Sequence, residues 1–168
     1  MNKPPSQAQA AAEIDAWIST LQQPVLRDLK GITDEEMEAL YALAYHHYQA
    51  GHRQEALQRF KLLVTLDPLE QRFWLGLGGA AQRLGHFSEA IGSYATAALL
   101  DIHDPRPLLA AAECHLHLGQ LHEAESALLA LERYCPYSEA CRIYRAKGRI
   151  LRQKLSPHPP ETQRSPTP

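Results

Sequence analysis

Nine histidines and three cysteines are spread along this chain of 168 residues, enough imidazole and thiol to hold a metal or arm a nucleophile if spacing allowed. It does not. Cys114, His115 and His117 lie too close together for one helical face to present all three, and no closely spaced Cys pair or His-x3-His completes a tetrahedral set. Adjacent Cys114 and His115 diverge by about 100° around a helix, so they do not form a nucleophile and base pair. His52 and His86 each follow a glycine in the same register, which assigns them to turns. The run LGLGG from Leu75 to Gly79 looks like a phosphate loop, but no strand precedes it and its register is helical. No metal, no cofactor and no catalytic group is expected, and the chain reads as a non-enzyme.

Recognition chemistry is a better match. At about 100° per residue, Tyr41, Tyr45 and Tyr48 fall on one stripe of a helix, roughly 110° from the stripe of Leu40, Leu43, Ala44 and His47. The second stripe should face a neighbouring helix. The tyrosines either point into a groove or form core aromatics covered by the N-terminal segment. Tyrosine suits recognition because its ring offers large apolar area at low rotamer cost and its hydroxyl can bond a peptide carbonyl.

The elements that position these rings follow from an internal repeat. Gly51, Gly85 and Gly119 are spaced 34 residues apart, and Ala56, Ala90 and Ala124 follow five residues later in each case. Phe60, Tyr94 and Leu128 keep the same step, as do Leu40, Trp74 and Leu108, and the small residues Ala44, Gly78 and Ala112. Each unit reads as two helices joined at a glycine in a left-handed conformation, with the small residues at the helix crossing. Thr33 with Glu36 is a capping-box pattern, and Asp104 before Pro105 is a cap followed by proline at the first helical position.

In a stack of such hairpins the first helices line the concave side. The equivalent groove positions are then Arg72, Leu75, Gly79 and Gln82 in the second unit, and Arg106, Leu109, Glu113 and Leu116 in the third. Apolar pockets with a few polar groups suit an extended peptide.

Charge and composition bound the partners. Lys plus Arg total 17 against 19 Asp plus Glu, a net charge of −2 that gives no long-range attraction for nucleic acid or for anionic membrane surfaces. No apolar run reaches the length of a signal-peptide core or a membrane span, so neither export by a signal peptide nor stable membrane association is expected. An odd count of three cysteines fits a reducing cytoplasm.

The expected organisation is all-α. Residues 1–7 are a disordered start; 8–36 form a helical segment; 37–136 hold three repeats (37–70, 71–104 and 105–136); 137–155 form a capping helix; and 156–168 are a proline-rich disordered tail. In the first helical segment Ile14, Trp17, Ile18 and Leu21 make an apolar stripe that either folds back on the first repeat or pairs with a second chain. In the capping helix Ile143, Tyr144, Ile150 and Leu151 are expected inward. Arg142, Arg145, Arg149, Arg152 and Lys154 are expected outward, as a solvated cap in preference to a docking site.

The 34-residue period of large, small, Gly, Ala, large and Pro positions resembles the tetratricopeptide repeat. More narrowly, LYALAYHHYQAG, FWLGLGGAAQRLG, SYATAALLDIHDPRP and AAECHLHLG resemble the type III secretion chaperones of Gram-negative bacteria that serve hydrophobic translocator proteins. That resemblance implies a bacterial cytoplasmic chaperone whose concave groove holds an extended N-proximal segment of a pore-forming translocator. It implies pocket walls at Tyr41, Tyr45 and Tyr48, then Leu75, Gly79, Gln82 and Leu109, and a homodimer anchored by Trp17. Some members of the family also bind a transcription activator. A regulator of that kind and a scaffold of the secretion apparatus are the alternative readings.

Overall fold

The computed structural model describes residues 24–135 and 137–155. Among the described residues there are eight helices and no strand: α1 Leu26–Leu29, α2 Asp34–Gln49, α3 Arg53–Leu66, α4 Gln71–Arg83, α5 Phe87–Leu100, α6 Pro105–His117, α7 Leu121–Tyr134 and α8 Glu139–Leu155. The N-terminal stripe of Ile14, Trp17, Ile18 and Leu21 lies outside the described residues, as do the expected ends at 1–7 and 156–168.

Each long hairpin turns in the same way. Gly51, Gly85 and Gly119 have φ of 80°, 79° and 72°, the left-handed region that a Cβ disfavours. The amide after each glycine donates back five residues, His52 to His47, His86 to Ala81 and Gln120 to His115, at 2.9–3.0 Å. This six-to-one bond satisfies a carbonyl that the helix end leaves open. Helix starts are equally local in origin. The Thr33 amide donates to Glu36 Oε2 at 2.9 Å while the Glu36 amide donates to Thr33 Oγ1 at 3.2 Å, and Asp104 Oδ1 accepts from the Arg106 amide at 2.9 Å.

Consecutive helices pack on one another from α2 to α8, and α8 touches α6 as well as α7. Small residues set the spacing: Ala44, Ala56, Ala90, Ala112 and Ala124 are fully buried, and a Cβ on Gly78 would crowd the Tyr94 ring at 2.6 Å. The main core runs from Met37 through Phe60, Leu63, Phe73 and Leu77 to Tyr94 and Cys114. A second cluster joins Leu109 and Ala112 to Leu128 and Leu131 under Tyr144 and Leu151 of α8. Arg27 fastens α1, with Nη1 2.9 Å from Asp34 and Nε 3.5 Å from Asp67, to the start of α2 and the end of α3.

Two faces differ from expectation. Leu43 is exposed rather than turned into the hairpin, where Leu40, Ala44 and His47 suffice. In α8 the buried face is Cys141, Arg145 and Gly148 with the half-buried Tyr144 and Leu151, while Ile143 and Ile150 are 61% and 54% exposed. Arg145 is drawn inward because the C-terminal carbonyls of α7 need donors. Its Nη1 donates to Glu132 O at 3.1 Å and to Cys135 O at 2.8 Å.

Candidate peptide-binding cleft

The tyrosine stripe of α2 forms a ladder. Ring centroids of Tyr41 and Tyr45 are 6.1 Å apart with planes within 19°, and Tyr45 and Tyr48 repeat the spacing at 6.1 Å with planes within 23°. Tyr41 leans on Phe60 at 6.2 Å and on Phe73 at 5.7 Å, and Tyr48 meets Phe60 edge-on at 6.5 Å. Buried aromatics of α3 and α4 therefore hold the outer rings, leaving Tyr45 45% exposed between them.

A cleft of about 200 Å³ opens beside this ladder, lined by Tyr41, Tyr45, Tyr48, Phe60, Arg72, Leu75, Gly76 and Arg106. Six residues anticipated from sequence meet there: the three tyrosines, Arg72, Leu75 and Arg106. Phe60 at the base was not anticipated, because its repeat register marks it as core. Its ring is fully buried beneath the cleft, directly under Gly76, where a Cβ would overlap it.

The remaining anticipated positions lie elsewhere. Gly79 faces Tyr48, whose hydroxyl would be 3.1 Å from an added Cβ. Gln82 is held by the Tyr94 hydroxyl, which donates to Oε1 at 2.7 Å. Glu113 and Leu116 are half-buried on α6 and do not line the cleft. Leu109 departs from the expectation of a groove position. It is 6% exposed, because α8 lies over α6 and takes Leu109 into the second core.

Both arginines of the cleft carry compensated charge. Arg72 Nη2 lies 2.6 Å from Glu38 Oε1 and Nε lies 3.2 Å from Glu70 Oε1, and these bonds push its pKa up. Its guanidinium sits 5.0 Å above the Tyr41 ring. Arg106 Nη2 is 2.7 Å from Asp104 Oδ2, a bond that likewise raises its pKa. Burial raises the pKa of Tyr41, so its hydroxyl stays protonated and available as a donor. With its cations paired internally, the cleft is a poor receptor for phosphate. Aromatic walls with neutral and internally balanced polar groups suit apolar side chains and peptide carbonyls.

Comparison with known proteins agrees with this architecture. Residues 41–107 and 80–139 match the tetratricopeptide repeat family. Low calcium response locus protein H of Yersinia pestis is 44% identical over 100 residues, and the chain spans 60% of that relative's length, with 60% of the chain itself matched. Crystal structures are similar too. The Yersinia enterocolitica type III secretion chaperone SycD, solved in complex with a peptide of the translocator YopD, is 35% identical with a TM-score of 0.70, covering 74% of this chain and 95% of that one. SycD has also been solved in an alternative dimer. PcrH of Pseudomonas aeruginosa, in complex with the chaperone binding region of PopD, is 37% identical with a TM-score of 0.71, covering 74% and 94%. The chain belongs to the tetratricopeptide repeat family and, within it, to the type III secretion translocator chaperones.

Proposed function

We propose that this chain is a cytoplasmic chaperone of a bacterial type III secretion system. It binds an extended, N-proximal segment of a hydrophobic translocator in the cleft between α2, α4 and α6. The observation that carries the reading is the ladder of Tyr41, Tyr45 and Tyr48 beside Arg72, Leu75 and Arg106, an aromatic cleft with its cations already paired. Relatives that share the fold are chaperones solved with translocator segments, which supports the same class of client here.

The physical task is to cover apolar surface. A pore-forming protein in water exposes segments meant for a bilayer, and a groove binder withdraws some of that surface and blocks premature association before secretion. Tyr41, Tyr45 and Tyr48 act as pocket walls, with Leu75 as an apolar contact. Gly79, Gln82, Glu113 and Leu116 extend the contact along the concave side. The reaction is binding and release, with no catalytic step. A homodimer formed through Ile14, Trp17, Ile18 and Leu21 is part of the reading, supported by the alternative dimer of SycD.

Coexpression of the chain with the translocator genes of its own secretion locus, followed by affinity copurification, tests the proposal. A stoichiometric, soluble complex with one translocator is expected. Translocators that stay insoluble and fail to copurify would leave the fold standing and remove the client.

A further inference from the structure

Helix α8 concentrates positive charge. The helix carries six Lys or Arg and one Glu, a charge of +5 in a chain whose total is −2, so everything else carries −7. Its exposed surface is ordered as well as basic. Ile143 and Ile150, one heptad apart and 61% and 54% exposed, form a short apolar stripe. At about 100° per residue, Arg142 and Arg149 flank that stripe on one side and Lys147 and Lys154 on the other.

The arginine edge is recessed rather than flat. A cavity of about 310 Å³ opens at the start of the helix, with Arg142, Arg145 and Arg149 in its wall and the Tyr137 ring beside them. Arg145 is 8% exposed and is fixed there, its guanidinium 3.9 Å from the centroid of the Tyr137 ring, which is itself 91% exposed. Glu139 balances only Arg142, at 2.8 Å in an exposed pair. No ion pair engages Arg149, Lys147 or Lys154 among the described residues, in contrast to the paired arginines of the tyrosine cleft.

We infer that this face is a second protein-docking surface, for an acidic amphipathic segment whose apolar side chains cover Ile143 and Ile150 and whose carboxylates meet Arg142 and Arg149. Charge complementarity selects the occupant. Guanidinium forks in a concave wall match planar carboxylates. A bilayer is disfavoured, because two isoleucines offer little area for insertion and the −7 charge of the remaining chain opposes an anionic surface. Ile143 and Ile150 lie about 100° around α8 from Tyr144 and Leu151, which pack on the second core, and no residue of this face lines the tyrosine cleft, so the two can be occupied together.

The test uses the full chain and a labelled helical peptide with a leucine stripe flanked by glutamates, followed by fluorescence anisotropy. Saturable binding that weakens with salt is expected. The Arg142→Glu/Arg149→Glu pair and the Ile143→Ser/Ile150→Ser pair should each weaken binding by about tenfold or more, with circular dichroism and melting temperature unchanged. Arg149→Gln, a milder change at an exposed position, should give a smaller loss in the same direction. The proposal is overturned if the peptide does not bind, if its glutamine version or a scrambled-stripe version binds equally, or if the variants bind like the parent. Binding to phosphatidylcholine and phosphatidylglycerol vesicles with none to the peptide would overturn it in favour of a membrane surface.

Discussion

Gly76 lies directly over the ring of Phe60, close enough that a Cβ at this position would overlap it. Helix α4 thereby approaches α3 closely and the cleft keeps its aromatic base. Gly76→Ala should lose stability, because inserting a methyl into a filled core costs about 1–3 kcal/mol while alanine gains only about 1 kcal/mol over glycine in helix propensity. Gly92, on α5, meets nothing within 4 Å. Gly92→Ala should therefore stabilise by about 0.5–1 kcal/mol. Urea unfolding of both variants gives the comparison, and a stabilising Gly76→Ala would show that Phe60 moves freely aside.

The tyrosine ladder makes a binding prediction. Tyr45 contributes an exposed ring, and Tyr41 a ring steadied by Phe60, Phe73 and Arg72. Replacing both by alanine should weaken translocator binding by about 2 kcal/mol or more, as expected for aromatic anchors. Helical content should be retained, since the helix keeps Met37 and Ala44 in the core. Titration calorimetry against the copurified client measures the effect. Undiminished affinity in a folded double variant would take the tyrosines out of the binding surface.

Acid should loosen the first turn selectively. His47 and His52 place their Nδ1 atoms 3.4 Å apart across Gly51, a contact that needs at least one neutral ring. Desolvation, then Arg59 and His52, depress the His47 pKa below its ordinary value, with Glu55 opposing and His46 adding slightly. The unfolded chain therefore takes up a proton more readily. The contribution of this group is present above about pH 6.5 and is lost as pH falls through the depressed folded value. The third repeat has the same span without this repulsion, His115 Nδ1 lying 2.7 Å from Gln120 Oε1. His52→Gln should thus reduce the fall in melting temperature between pH 7.5 and 5.5. An identical fall in parent and variant would assign the acid sensitivity to other groups.

Local signals explain how far the sequence could be read. Glycine spacing, Thr33 with Glu36 and Asp104 with Pro105 act within a few residues, so the turns and helix starts were legible without tertiary information. The tyrosine stripe was legible because helical spacing alone puts three rings on one side. Adjacent apolar pairs were not. Ile143 with Tyr144, and Ile150 with Leu151, leave two faces of α8 about 100° apart with similar apolar content. The choice falls to Tyr144 and Leu151, since that rotation also delivers Arg145 to the open carbonyls of α7. The same placement of α8 buries Leu109, a long-range consequence that the pattern within α6 does not encode.

The buried guanidinium of Arg145 supplies the last prediction. Its Nη1 atom serves both Glu132 O and Cys135 O, and its plane rests against Tyr137. Arg145→Met preserves much of the side-chain volume but leaves the part-buried Glu132 carbonyl and the buried Cys135 carbonyl without this donor. Charged hydrogen bonds of this kind contribute about 1.5–3 kcal/mol, so urea unfolding should reveal a loss of about that size. The damage should be local. Hydrogen exchange should accelerate in α7 and α8 while the α2 and α4 amides around the tyrosine cleft keep their protection. Cys135, buried and with its thiol pushed up to about 12 by burial and then by Cys141, provides a second reading. It should react slowly with a disulfide reagent in the parent and faster in Arg145→Met, because the junction of α7 and α8 opens more often. Unchanged stability together with unchanged thiol reactivity would mean that water or another donor replaces the guanidinium, and that packing on Tyr144 and Leu151 alone holds α8 in place.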